Sequence, residues 1–183
     1  VAEGFEAGGH NGREETTTMC LVPDVANATN VPLIAAGGII DGKSMLAAMI
    51  LGADGVQMGT RFVACKESSA HENSKNMVLK AKEGDTRLTL KEITPVRMMK
   101  NKFFQELEEL YKTSPSKEQL LNKLGRGRAK LGMFEGDLEA GELEIGQASS
   151  QINRVFTAQE IVQQIMTEFN SIKSQMSIAN KFN

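Results

Sequence analysis

The sequence predicts an α/β fold, the C-terminal half of a TIM (β/α)8 barrel carrying a small helical satellite domain. Three observations carry that prediction. Short apolar runs end in glycine-rich loops at three successive places, EAGGHNG, AAGGI and VQMGT. Helical patterns fit between the runs, and strand–helix–strand units at this spacing make parallel strands. After about Ser69 the alternation stops and helical patterning takes over. The expected division is 1–68 for half of the barrel, 69–130 for a mostly helical inserted region, and 131–183 for a return segment and the closing helix.

Each element has a local reason. Val1-Ala2 ends a first strand. Thr16, Thr17 or Thr18 can cap a helix from Met19 to Ala28, because a hydroxyl accepts from the free N–H groups of a first turn. Val31 to Ile39 is too short for a buried helix, and Pro32 suits a strand start. Asp41 is the expected cap of the next helix, with Met45, Leu46, Met49 and Ile50 at helical spacing and Gly52 closing it. DGVQMGTRF reads as a strand ending at Gly59-Thr60. His71 to Lys82 reads as a helix. Pro95 is placed in the first turn of a helix through VRMMKNKFFQELEELYKT, with Met99, Phe103, Leu107 and Leu110 as its core stripe. Ser116 caps a further helix through Lys123. GDLEAGELEIGQ returns through glycine turns. TAQEIVQQIMTEFNSIKSQ, capped by Thr157, is the closing helix, and SIANKFN is expected to fray.

Composition excludes several classes. With 40% hydrophobic and 24% charged residues the chain is globular rather than disordered. Its net charge of −2, with dispersed Lys and Arg, argues against a nucleic-acid partner. Cys20 and Cys65 are too far apart for a zinc motif and too few for a disulfide framework, so both are read as buried thiols and no metal is expected. No apolar run reaches the roughly 18 residues of a membrane helix, and the default location is cytoplasmic. The start, Val1-Ala2-Glu3-Gly4 without Met, reads as the inside of an element, so a piece of a longer protein is expected.

In barrels the ligand-facing loops lie at the carboxyl ends of the strands. Gly37-Gly38 and Gly59-Thr60 stand there, where glycine lets backbone N–H groups approach a phosphate and a hydroxyl adds a donor. The plainer alternative is that such glycines only turn the chain. His10 stands at the first strand end, where a neutral imidazole can accept a proton near pH 7. A solvated or structural histidine is the competing reading. Glu3 and Glu6 are carboxylates that could orient the ring or meet a cofactor. His71, in a polar helical stretch, is read as structural.

EGFEAGGHNG, followed by TTTMCLVPDV, VPLIAAGGIIDG, LGADGVQMGTRFVACKESSAH and PVRMMKNKF, resembles the nitronate monooxygenase family, formerly 2-nitropropane dioxygenase, which includes flavin-dependent enoyl-acyl-carrier-protein reductase II. The resemblance runs through EGDLEAGELEIGQ and so over nearly the whole chain. It implies a TIM barrel carrying FMN, with a smaller inserted domain over the site. It implies that His10 is the catalytic base of nitronate-oxidising members and stands beside the flavin in the reductases. It places Glu3, Gly8 and Gly9 near FMN, Gly37 and Gly38 in one phosphate loop, and Gln57, Met58, Gly59 and Thr60 in the other.

The activity so implied is FMN-dependent oxidation of nitronates or nitroalkanes with oxygen. The alternative is reduction of an enoyl thioester on acyl carrier protein by NADH or NADPH, in fatty acid synthesis. A reading of another class is a non-catalytic module binding a phosphate ligand. A homodimer is left open, and neither nucleic acid nor membrane is an expected partner. The family's N-terminal half-barrel has no counterpart in this sequence. This stretch alone is therefore expected neither to close a barrel nor to hold FMN tightly, and to be inactive by itself.

Overall fold

The structure is a computed structural model that describes residues 1–178; residues 179–183, where most of the expected fraying tail falls, lie outside the described residues. The first stretch contributes β1 (Ala2–Glu3), β2 (Gly9–His10), α1 (Thr18–Ala28), β3 (Ile34–Ala36), α2 (Gly42–Ile50), β4 (Gly55–Gln57) and a short α3 (Thr60–Val63). β1, β3 and β4 form a parallel sheet in chain order, with Ala2 opposite Ala35 and Ile34 opposite Gly55. No strand order reverses among them, as in successive strands of a barrel. Ala2, Val22, Leu33, Ala35 and Ala48 pack between this sheet and its helices.

The caps explain the helix starts. Asp41 accepts from the Ser44 N–H at 2.8 Å, and the Ser44 hydroxyl accepts from the Asp41 N–H at 3.1 Å, a reciprocal pair that starts α2. Thr17 occupies the cap position of α1 but makes no side-chain cap. The Glu6 carboxylate takes that role, accepting from the Thr18 N–H at 3.0 Å.

The rest of the chain adds α4 (Glu72–Lys80), β5 (Thr86–Thr89), β6 (Val96–Met99), α5 (Lys102–Tyr111), α6 (Lys117–Leu124), α7 (Arg128–Met133), a 3-10 turn at Gln147–Gln151 and the long α8 (Ala158–Ile178). α8 packs on α2 so closely that a Cβ on Gly42 would lie 2.4 Å from the Phe169 nitrogen. Its start is also reciprocal: Thr157 and Glu160 accept from each other's backbone N–H.

Two expectations are corrected here. The helix read from Pro95 onward is interrupted: Val96–Met99 is a strand, paired antiparallel with β5 on one side and β2 on the other, and α5 begins only at Lys102. All four strand residues are buried, and Asn101 caps α5 by accepting from the Phe104 N–H at 3.0 Å. The fixed φ of proline suits a strand entrance as well as a first helical turn. The expected stripe therefore splits, Met99 packing with Ile40 and Leu143 while Phe103 and Leu107 pack with Leu90, Val96 and Leu120. Of the two cysteines, Cys65 is buried but Cys20 is exposed, on the outer face of α1. His71 caps α4, its Nδ1 accepting from the Asn73 N–H at 3.1 Å.

Leu107 is fully buried where α5 meets the β5–β6 hairpin and α6. Leu107→Ala is expected to cost about 2–5 kcal/mol, through lost burial and a residual cavity. Urea unfolding checks this; a loss well under 1 kcal/mol would mean that this core is not packed as described.

Candidate active site

The loops after β1, β3 and β4 converge at the carboxyl ends of the parallel strands. They enclose a cavity of about 270 Å³ whose walls include Glu3, Gly8, Gly37, Gly38, Gln57, Gly59 and Thr60. Met58 does not reach it. Alternation past β4 turns Gln57 and Gly59 to the cavity and Met58 into the core with Leu33 and Ile165. Gly9 lies outside as well, paired with Arg97 across β2 and β6 at a φ of 76° that favours glycine. His10 pairs with Val96, is exposed, and lines a second cavity of about 190 Å³.

The glycines divide by cause. A Cβ on Gly8 would lie 2.4 Å from the Ile145 carbonyl carbon, and one on Gly37 would lie 2.5 Å from the Gly4 oxygen. Backbone packing demands both glycines, whatever ligand is present. A Cβ on Gly59 would meet nothing within 4 Å, so that position borders open space. The N–H groups of Gly38, Gly59 and Thr60 find no acceptor among the described residues. The Thr60 hydroxyl accepts from the Gly146 N–H at 2.9 Å, which leaves its own proton free to donate. Thr18 joins two of the loops: its hydroxyl lies 2.7 Å from the Gly37 oxygen while its N–H donates to Glu6.

The return segment supplies the acids. Glu144 lines both cavities, and its Oε1 lies 4.0 Å from His10 Nδ1. Met98 opposite Glu144 in an antiparallel bridge fixes this placement. Glu142, two residues earlier, is buried beside the second cavity. Glu3 has its carboxyl pushed up by partial desolvation at the first cavity. Sequence reasoning missed Glu142, Glu144 and Gly146 as site residues. The signal was present in ELEI: Leu143 and Ile145 are core, so the alternation sends the two acids to the other face.

The Glu142 carboxyl is pushed up to about 7 from an ordinary 4.5, first by burial and then by the Glu144 charge, partly offset by Arg128. The folded chain therefore holds this proton more tightly than the unfolded chain. Its contribution to stability is full below about pH 4.5 and is lost as pH rises towards 7. The loss is roughly 3 kcal/mol at most. Glu142→Gln should flatten the fall in urea midpoint over that window; parallel pH curves for the two proteins would refute the assignment.

The family model for nitronate monooxygenase matches residues 1–168. The chain is 34% identical to a probable nitronate monooxygenase of Staphylococcus saprophyticus, over 96% of this chain and 52% of that protein. It is also 34% identical to one of Bacillus subtilis, over 92% and 50%. The chain thus spans about half the length of the curated relatives it matches. FabK from Thermotoga maritima superposes with a TM-score of 0.86 at 38% identity, over 96% of this chain and 55% of that one. Nitroalkane oxidase from Streptomyces ansochromogenes superposes with a TM-score of 0.78 at 28% identity, over 95% and 52%. The α/β class and the partial-barrel arrangement expected from the sequence hold against these neighbours. By name these relatives include nitronate monooxygenases and a nitroalkane oxidase, which are oxidoreductases. Matched along nearly its whole length, with three glycine loops gathered on one cavity, this chain belongs to the nitronate monooxygenase family.

Proposed function

We propose that the full-length protein is an FMN-dependent nitronate monooxygenase that oxidises small nitroalkanes or nitronates with oxygen, and that His10 is its general base. The observation that carries this reading is the meeting of two cavities at Glu144, one walled by the glycine loops and the other bearing His10. The residues present fit the phosphate end of FMN. Gly38, Gly59 and Thr60 offer N–H groups without protein acceptors, and Gly59 leaves the space open. Gly37 and Gly38 form one side of this cradle and Gly59 and Thr60 the other, with Glu3, Gly8 and Gln57 further along the wall. Gly9 and Met58 act from behind it, through the chain turn and the core. When bound, FMN supplies the redox chemistry, taking electrons from the nitronate for transfer to oxygen.

His10 removes the carbon-bound proton from a nitroalkane, and the Glu144 carboxylate stands where it stabilises the resulting imidazolium. The division into 1–68, 69–130 and 131–183, a cytoplasmic setting and a homodimer belong to the same proposal. No helix of the described residues is long and apolar enough to cross a membrane. A second reading is enoyl-acyl-carrier-protein reductase II, using NADH or NADPH. The higher identity to FabK, 38% against 28% for nitroalkane oxidase, favours it.

In the full-length protein, His10→Asn should retain bound FMN by absorbance. Its rate on nitroalkanes should fall about 10²–10⁴-fold, while a preformed nitronate is spared. Equal losses on both substrates would make His10 a positioning group instead. Rapid bleaching of the flavin by NADH, without oxidation of nitroalkanes, would select the reductase. Gly59→Val should lower flavin content while leaving the circular dichroism spectrum unchanged, since a Cβ there meets nothing within 4 Å. Full flavin loading in that variant would move the phosphate site elsewhere.

A further inference from the structure

The loop that carries His10 is built on permissive backbone. Gly4, Gly8, Gly9 and Gly12 fall within nine residues, and glycine has more conformational freedom to lose on folding than any other residue. Ala7 stands on the wall of the first cavity and His10 on the wall of the second, with Gly8 and Gly9 between them. Gly8 is held by the Ile145–Gly146 backbone. Gly9, at a φ of 76°, is bordered by the end of the Glu144 side chain rather than by backbone. β2 is only two residues long, so its pairing with β6 holds the loop over one short register.

The Asn11 side chain adds a further tie. Its Nδ2 donates to the Ala7 carbonyl at 3.0 Å and to the Gly9 carbonyl at 2.9 Å, which uses both amide protons inside the loop. Its backbone N–H donates to the Pro95 carbonyl at 2.8 Å and so fixes Asn11 to the residue that leads into β6. One cost stands against these bonds. Asn11 Oδ1 is closed off from solvent and has no donor among the described residues, and an unpaired buried acceptor is destabilising. Turning the amide over would bring no relief, because the oxygen would then face two carbonyl oxygens.

We propose that Asn11 is a positioning residue for the base: its amide ties the first-cavity end of the loop to the residue before His10 and so fixes where the imidazole stands relative to the glycine-walled cavity. The proposal rests on the reading of His10 as the base. In that reading a proton passes from the nitroalkane α-carbon to His10, and the electron pair of the broken C–H bond moves onto the nitro group to give the nitronate. Asn11 lies on neither cavity wall and acts through the Gly9 backbone. A base displaced by about 1 Å loses on the order of 10²-fold in rate.

Full-length, flavin-loaded Asn11→Ala is to be compared with wild type in two measurements. Amide hydrogen exchange, followed by mass spectrometry, should quicken roughly tenfold over residues 4–12 and stay unchanged elsewhere. The kcat on nitroethane should fall about 10–100-fold, while preformed ethyl nitronate is turned over as by wild type. Asn11→Ser, which keeps a single donor, should lie between the two proteins in both measurements, and it carries the test if the alanine variant does not fold. Unchanged exchange overturns the proposal, and so do equal losses on nitroethane and its nitronate, the pattern of a residue that only supports the fold. The functional reading fails separately: wild-type enzyme inert towards nitroalkanes refutes the base, and the exchange comparison then decides by itself whether Asn11 ties the loop.

Discussion

Two hydrogen bonds from the return segment hold the site together. The Gln147 N–H donates to the Glu6 carbonyl at 2.8 Å, and the Gly146 N–H donates to Thr60 Oγ1 at 2.9 Å. One end of the clamp is the loop after β1 and the other is the start of α3, so the first and last glycine loops are registered through a third piece of chain. The bare Cα of Gly8 lets the Ile145–Gly146 backbone close over it. Each bond contributes only about 0.5–1.5 kcal/mol net. Their larger effect is geometric, because the segment that carries them also sets Glu144 between the two cavities.

Arg97 extends the same frame to the β5–β6 hairpin. It is 4% exposed, donates from Nε to the Phe5 carbonyl at 3.0 Å and from Nη1 to Thr86 Oγ1 at 3.2 Å, and lies over the Phe5 ring. Burial pushes its pKa down, and the nearby Glu6 and Glu15 charges oppose that shift. The glycine loop after β1 is thereby attached on one side to the β5–β6 hairpin and on the other, through Glu6 and Thr18, to α1. The cavity walled by glycines and the second cavity beside His10 share one scaffold.

The sequence was most legible where one periodicity ran long enough to decide. The parallel units, the Asp41, Ser116 and Thr157 caps and the glycine turns at the strand ends all followed from local pattern. It was least legible where a partner far along the chain decides. A two-residue strand such as Gly9–His10 has no period of its own, and it exists because β6 pairs with it. Pro95 suited two structures, and the buried register of Val96–Met99 chose the strand. Gly8 and Gly37 line the cavity, but backbone packing against Ile145 and Gly4 requires glycine there as well, a cause that no local pattern shows. Met58 was assigned to the cofactor by its motif, but strand alternation faces it inward.

The clamp also sets a timetable for biosynthesis. Thr60 and Gly146 are 86 residues apart. At a ribosomal rate of about 5–20 residues per second, Gly146 follows Thr60 by roughly 4–17 s. Through that interval the nascent chain can pair β1, β3 and β4 and still lack the return segment that closes the cavity. Loading of any ligand that needs the closed wall must therefore wait for the later segment.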